Sequence, residues 1–180
     1  MLASGPMADG LAGAGPVDPP FRAPERAMLE GWLEYYRATL LLKCDGLDDE
    51  RRKRQPVGTS LMSLHGMVRH MAEVERNWFQ RTLARPGISS IFLSGQVPDA
   101  DWAPLDDADW AADLAAWRAE CEQSRRTAAA HGLDDLGVGV RGGQRVGCSV
   151  RWIFHHMIEE YARHNGHADL IRELIDRAAG

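Results

Sequence analysis

Glu160 and His164 stand one helical turn apart in the stretch EEYARHNGHADL, residues 159–170. A carboxylate and an imidazole at i and i+4 are neighbours on a helix surface, and such a pair can hold one divalent ion. With Trp152 at zero and about 100° per residue, the apolar residues of this segment average near ~140°. Glu160 falls near ~80° and His164 near ~120°, both inside the apolar sector. His155, Glu159, Arg163 and Glu173 fall on the opposite, solvated side. His156 and His167 sit at the sector's edge, at roughly 40° and 60°. A glutamate is almost never fully buried without a partner. An isolated buried carboxylate is costly, or it takes up a proton. Glu160 therefore needs a cation. Two readings without metal stand beside this one: a plain Glu–His hydrogen bond, or a pair facing water in an edge groove.

A third ligand has to come from another helix. The segment SLMSLHGMVRHMAEVERNWF offers His65 and His70. They lie on opposite rims of its apolar face, about equally far from its centre, so periodicity leaves both open. His131 precedes Gly132 at the end of another helical pattern, where a contact with the helix C-terminus accounts for it. Cys148 stands just before a helix start, which favours a thiolate, yet nothing marks a base beside it, and it reads as an ordinary cysteine. The chain has no G-x-S-x-G elbow and no H-E-x-x-H pair. Tyr161 reads as core. Asn165 and His167 suit hydrogen bonds that stabilise the helices. Gly166 costs about 1 kcal/mol relative to alanine inside a helix and suggests close packing or a site.

Four long helical patterns must position these groups. The first follows Pro24, runs through ERAMLEGWLEYYRATLLLKC and stops at Gly46. A polar connection leads to a second, capped by Thr59 or Ser60 and ended by Pro86-Gly87. Residues 87–105 read as a long loop. Asp106 or Asp107 caps a third helix that ends at Gly132. The glycine-rich stretch DDLGVGVRGGQRVGC forms a small hairpin or only a loop, and carries no GxGxxG or P-loop spacing. Ser149 caps the last helix. The result is an all-α fold, a four-helix bundle, an architecture that builds ligand and metal sites from facing helices. Trp102, Trp110 and Trp117 pack by default, with a pocket or interface as the alternative.

A chain of 180 residues suggests one domain and is long enough to bury a core without staples. Its net charge of -5 gives no basic field for nucleic acid or an acidic membrane. The run Arg51-Arg52-Lys53-Arg54 follows Asp48, Asp49 and Glu50 and reads as a local charged turn. Three cysteines without a CxxC motif fit a reducing cytoplasm. No stretch approaches the ~20 apolar residues of a membrane span, and no signal-peptide pattern opens the chain. Residues 1–21 read as a disordered lead, with Met7 a second possible start, and residues 22–180 as the folded domain.

The segments SLMSLHGMVRHMAEVERNWF and SVRWIFHHMIEEYARHNGHADLIRELID resemble the two signature helices of the DinB-like superfamily, and RATLLLKCDGLDDERRKRQPV fits its actinobacterial branch. The resemblance covers roughly residues 22–178. It implies an up-down-down-up four-helix bundle, commonly a homodimer, with a divalent metal held by three side chains. One ligand would be the histidine of His70-Met71-Ala72-Glu73-Val74-Glu75, which selects His70 over His65. The other two fall on Glu160 and His164, a Glu-x-x-x-His pair similar to that of mycothiol-dependent maleylpyruvate isomerase. Zinc is the first expectation for the ion, with nickel or iron as alternatives. The resemblance further implies transfer or isomerisation using a low-molecular-weight thiol such as mycothiol and an electrophilic partner. His156 and His167 would then support the ligands or shuttle protons. The competing expectation is a non-catalytic metal-binding protein of the stress response.

Overall fold

The computed structural model describes residues 15–93, 97, 99–141 and 143–178. Of the expected lead over 1–21, residues 1–14 lie outside the described residues. Helix α1 (Glu25–Cys44) begins after Pro24, and Gly46 behind it takes φ +69, the left-handed conformation that glycine adopts without a Cβ clash. The polar connection contains a short α2 (Asp49–Lys53), capped by the Asp48 side chain on the Arg51 N–H. Its basic residues pair locally, Arg51 with Asp48 and Arg52 with Asp49, as a charged turn requires.

Helix α3 (Leu64–Glu75) starts later than Thr59 or Ser60 would place it. Ser60 spends its hydroxyl on the Met62 N–H in a preceding turn, and Ser63 caps the helix through the Gly66 N–H at 3.0 Å. From Arg76 to Thr82 the helix widens into a π-helical segment. Helix α4 (Trp110–Ala129) is capped by Asp109 rather than Asp106 or Asp107. The glycine-rich stretch forms a hairpin, with β1 (Leu136–Arg141) antiparallel to β2 (Gln144–Ser149). Ser149 ends β2 and caps α5 (Val150–Arg177). The fold is thus mostly helical with one small sheet. α5 packs along α1 and against α3, and α3 with its π segment packs on α4.

Charge sits in the middle of this core. Leu29, Leu33, Arg37, Leu40 and Cys44 form the buried stripe of α1, and Leu64, Met67, Val68, Met71 and Glu75 that of α3. Arg37 grips Glu75 with two parallel bonds, Nε to Oε1 at 2.8 Å and Nη2 to Oε2 at 2.7 Å. The Tyr161 hydroxyl of α5 donates to the same Oε1 at 2.8 Å, and the Trp117 indole of α4 donates to that hydroxyl at 2.9 Å. One carboxylate therefore joins all four long helices. Burial, then Cys121 and Glu75, holds the Tyr161 hydroxyl well above its usual range. Burial and Glu75 do the same to the Cys121 thiol. Both groups stay protonated and structural.

Trp152, Leu170 and Leu174 are exposed, in keeping with their angles of about 0°, 0° and 40°, roughly 100–140° from the apolar mean. Gly166 meets nothing within 4 Å, so it marks no close approach. Asn165 donates to the Tyr36 carbonyl of α1 at 3.1 Å, the stabilising role its type suggests.

Removing one partner of the buried pair strands the other charge, which typically costs about 3–5 kcal/mol. Arg37→Met is expected to lower unfolding stability by that amount in denaturant titration. Combining it with Glu75→Leu is expected to recover most of the loss. A single variant within about 1 kcal/mol of the parent would show that the pair does not hold the helices.

Candidate metal centre

Two helices and one loop supply the centre. His70 lies midway along α3, and Glu160 and His164 lie on consecutive turns of α5. One ligand atom from each of the three lies within 4.8 Å of the others. The His164 Nε2 is 3.6 Å from Glu160 Oε2, and the His70 and His164 rings are 4.8 Å apart. Glu160 is not a core residue, as the wheel suggested. Its side chain is 19% exposed, on the rim, and His164 behind it is 10% exposed.

His65 points elsewhere. It is fully buried, its Nε2 meets Asp113 of α4 at 2.8 Å, and its ring stands edge-on to Trp110. His65 meets α4 and His70 meets α5, and that packing separates the two histidines.

Asp101 is the residue that sequence patterns did not single out. Its buried carboxylate lies 2.7 Å from His70 Nδ1. An Nδ1–H bonded to a carboxylate fixes the tautomer and leaves Nε2 as the free donor nitrogen, the usual arrangement behind a ligating histidine. Trp102, next in the chain, stacks on the His70 ring at 4.5 Å and 25°. It also lies 5.5 Å from the His164 ring. Trp102 therefore walls the centre, whereas Trp110 and Trp117 pack in the core.

The loop that carries Asp101 and Trp102 is tied down by α3. Glu73 Oε1 accepts the backbone N–H groups of Ile91, Phe92 and Leu93. Arg69 donates to the Ala100 carbonyl at 2.8 Å and lies over the Phe92 ring. Arg76 reaches the Ser89 carbonyl. Gly66 lets the loop close on the helix: a Cβ there would stand 2.9 Å from the Trp102 carbonyl oxygen.

Two further histidines flank the ligand set. His167 Nδ1 is 3.5 Å from His164 Nδ1, which leaves His164 Nε2 facing Glu160. His156 Nε2 is 3.5 Å from the other Glu160 oxygen. His156, Glu159 and Glu160 form a second possible grouping, but Glu159 is exposed and engaged by Arg163. Burial, with His70, His167 and Arg163 adding to it, lowers the His164 pKa from 6.5 to about 4. A neutral imidazole is what a metal needs from a ligand. Cys148 lies in β2, away from these groups. Burial pushes its thiol up, against the thiolate that its place before a helix suggested.

Two nitrogens and one carboxylate oxygen could hold zinc, and three such ligands would leave a position open for another group. Among the described residues, no helix is long and apolar enough to cross a membrane. A family model described as mycothiol-S-transferase matches residues 28–177, from the first turn of α1 to the end of α5. No curated protein matches the chain.

Asp101→Asn keeps the shape of the side chain but loses the charge that orients His70. Zinc affinity is expected to fall roughly 10–100-fold, read by competition with a chromogenic chelator. Unchanged affinity would remove Asp101 from the centre. In metal-free protein, His164 is expected to titrate near pH 4 by NMR, not near its ordinary 6.5. The unfolded chain takes up that proton first, so the contribution of His164 to stability is complete above pH 6.5 and is lost as pH falls towards 4. A midpoint near 6.5 would contradict the burial.

Proposed function

Because the chain belongs to the mycothiol-S-transferase family, within the DinB-like superfamily, we propose that it is a metal-dependent transferase. It joins the sulfur of a mycothiol-type thiol to an electrophile, in stress or detoxification. The observation that carries the reading is the donor set itself: His70, backed by Asp101, within 4.8 Å of Glu160 and His164. A divalent ion held there would lower the pKa of an incoming thiol and keep its sulfur as thiolate. Zinc is the first choice, and nickel or iron suits the same ligands. The protein's own groups do the rest. Asp101 holds the His70 ring, and His164 stays neutral through burial. Trp102 covers one side of the ligands and limits water. His156 and His167 contact Glu160 and His164 and orient them.

The reading extends to the whole molecule. It takes residues 22–180 as one domain, with α1, α3, α4 and α5 as a DinB-like up-down-down-up bundle. The packing of α1 on α5 and of α3 on α4 supports it. It takes the protein as a cytoplasmic homodimer, in keeping with three free cysteines and with the family resemblance.

Metal analysis of the purified protein beside His164→Ala tests the ligands. The parent is expected to retain the ion and the variant to lose it, and equal content in both would sink the assignment. Holo-protein incubated with mycothiol and monochlorobimane is expected to form the conjugate faster than apo-protein. Equal rates with metal bound would leave the non-catalytic metal-binding protein as the function.

A further inference from the structure

β1 meets the π-helical segment through Gly137, where a Cβ would stand 2.8 Å from the Thr82 carbonyl oxygen and the Leu83 side chain. That contact anchors the hairpin at its base. Two residues on, Gly139 lies over Trp78 at ordinary distance, a Cβ there meeting the indole at 3.7 Å. Gly139 pairs across the ladder with Val146, and Gly147 follows it without neighbours within 4 Å. The missing side chains leave a cavity of about 290 Å³ between hairpin and helices, walled by Trp78, Trp152, Gly139, Val146 and Cys148. No charged side chain lines it among the described residues.

The cavity is connected to the metal centre by contact. Its two indoles lie 5.0 Å apart at 56°. Both flank His156, Trp152 stacked at 5.0 Å and 15°, Trp78 edge-on at 4.6 Å. His156 in turn reaches Glu160. Trp152 precedes Glu160 by eight residues, about 12 Å along α5. Two indoles dominate these walls, and flat aromatic groups stack on indole faces.

The geometry points to a subsite for the second substrate: the cavity takes the flat, aromatic body of the electrophile, and the reactive carbon extends past His156 towards the thiol sulfur. The inference rests on the thiol-transfer reading and adds the class of acceptor. For a halomethyl aromatic, a sulfur lone pair forms the S–C bond as the carbon–halogen bond breaks. The halide leaves with the bonding pair and the thiol proton goes to solvent. Burial raises the pKa of the Cys148 thiol, which disfavours its thiolate as a competing nucleophile.

Two variants test the cavity without touching a proposed ligand. Trp152→Ala removes a half-exposed stacking face, and Gly139→Val fills the space from the strand. Metal content is expected to stay at the parent level in both. Binding of unreactive 1-naphthylmethanol, followed by calorimetry, is expected to weaken roughly tenfold in each. In turnover, the KM for monochlorobimane is expected to rise by a similar factor, and by more than the KM for iodoacetamide. Naphthyl binding or bimane KM unaffected in both variants would overturn the subsite. If the parent binds the naphthyl probe but conjugates neither electrophile, the transfer reading fails, and the acceptor role fails with it. If it conjugates both electrophiles but binds no probe, only the subsite falls.

Discussion

The buried Arg37–Glu75 pair is the constraint on which the rest depends. A carboxylate with 0% exposure is tolerable only if its lone pairs are filled, and Arg37 and Tyr161 fill them from two other helices. Those bonds are directional, so α1, α3 and α5 cannot rotate or slide without breaking them. Glu75 lies little more than one turn beyond His70, and Tyr161 directly follows Glu160. The network that fixes the helices therefore also fixes the two sides of the candidate centre. Hydrophobic packing alone is non-directional and would tolerate small rotations that a three-ligand site would not.

The second dependency runs from α3 outwards. Arg69 and Glu73 of α3, and Arg76 at the start of the π-helical segment, bond to backbone groups of the following loop. The loop then returns Asp101 and Trp102 to His70. Helix and loop thus form one unit in which a ligand, the carboxylate behind it and the indole over it descend from a single element and its tether. Gly66 is the place where that return is closest, because only hydrogen leaves room for the Trp102 backbone.

Rim and interior have different electrostatic roles at the centre. His164 is the buried member and is kept neutral, while Glu160 and His70 keep partial contact with solvent. An ion and a thiol would arrive from that open side. The π-helical segment and the hairpin lie towards the start of α5, and their aromatic cavity meets the centre through His156. Trp78 belongs to the π-helical segment and lies 5.0 Å from Trp152.

Residue spacing alone gave the four long helical patterns, the apolar faces of α3 and α5 and the pairing of Glu160 with His164, because each follows from a period of 3.6 residues within one segment. The caps were the weaker part: Ser63 and Asp109 won over nearby serines, threonines and aspartates, since a cap also depends on the turn before it. Arg37 and Glu75 were not singled out, and their pairing lies beyond residue spacing, because the two are 38 positions apart. The choice of His70 over His65 came from a family pattern, since both sit on equal rims of α3. Asp101 carried no signal, as an aspartate in a long loop has no period. Only the tertiary structure brought it to His70, and only there did the hairpin's glycines become the walls of a cavity. Residue spacing encodes neighbours within an element, while contacts between elements depend on how those elements dock.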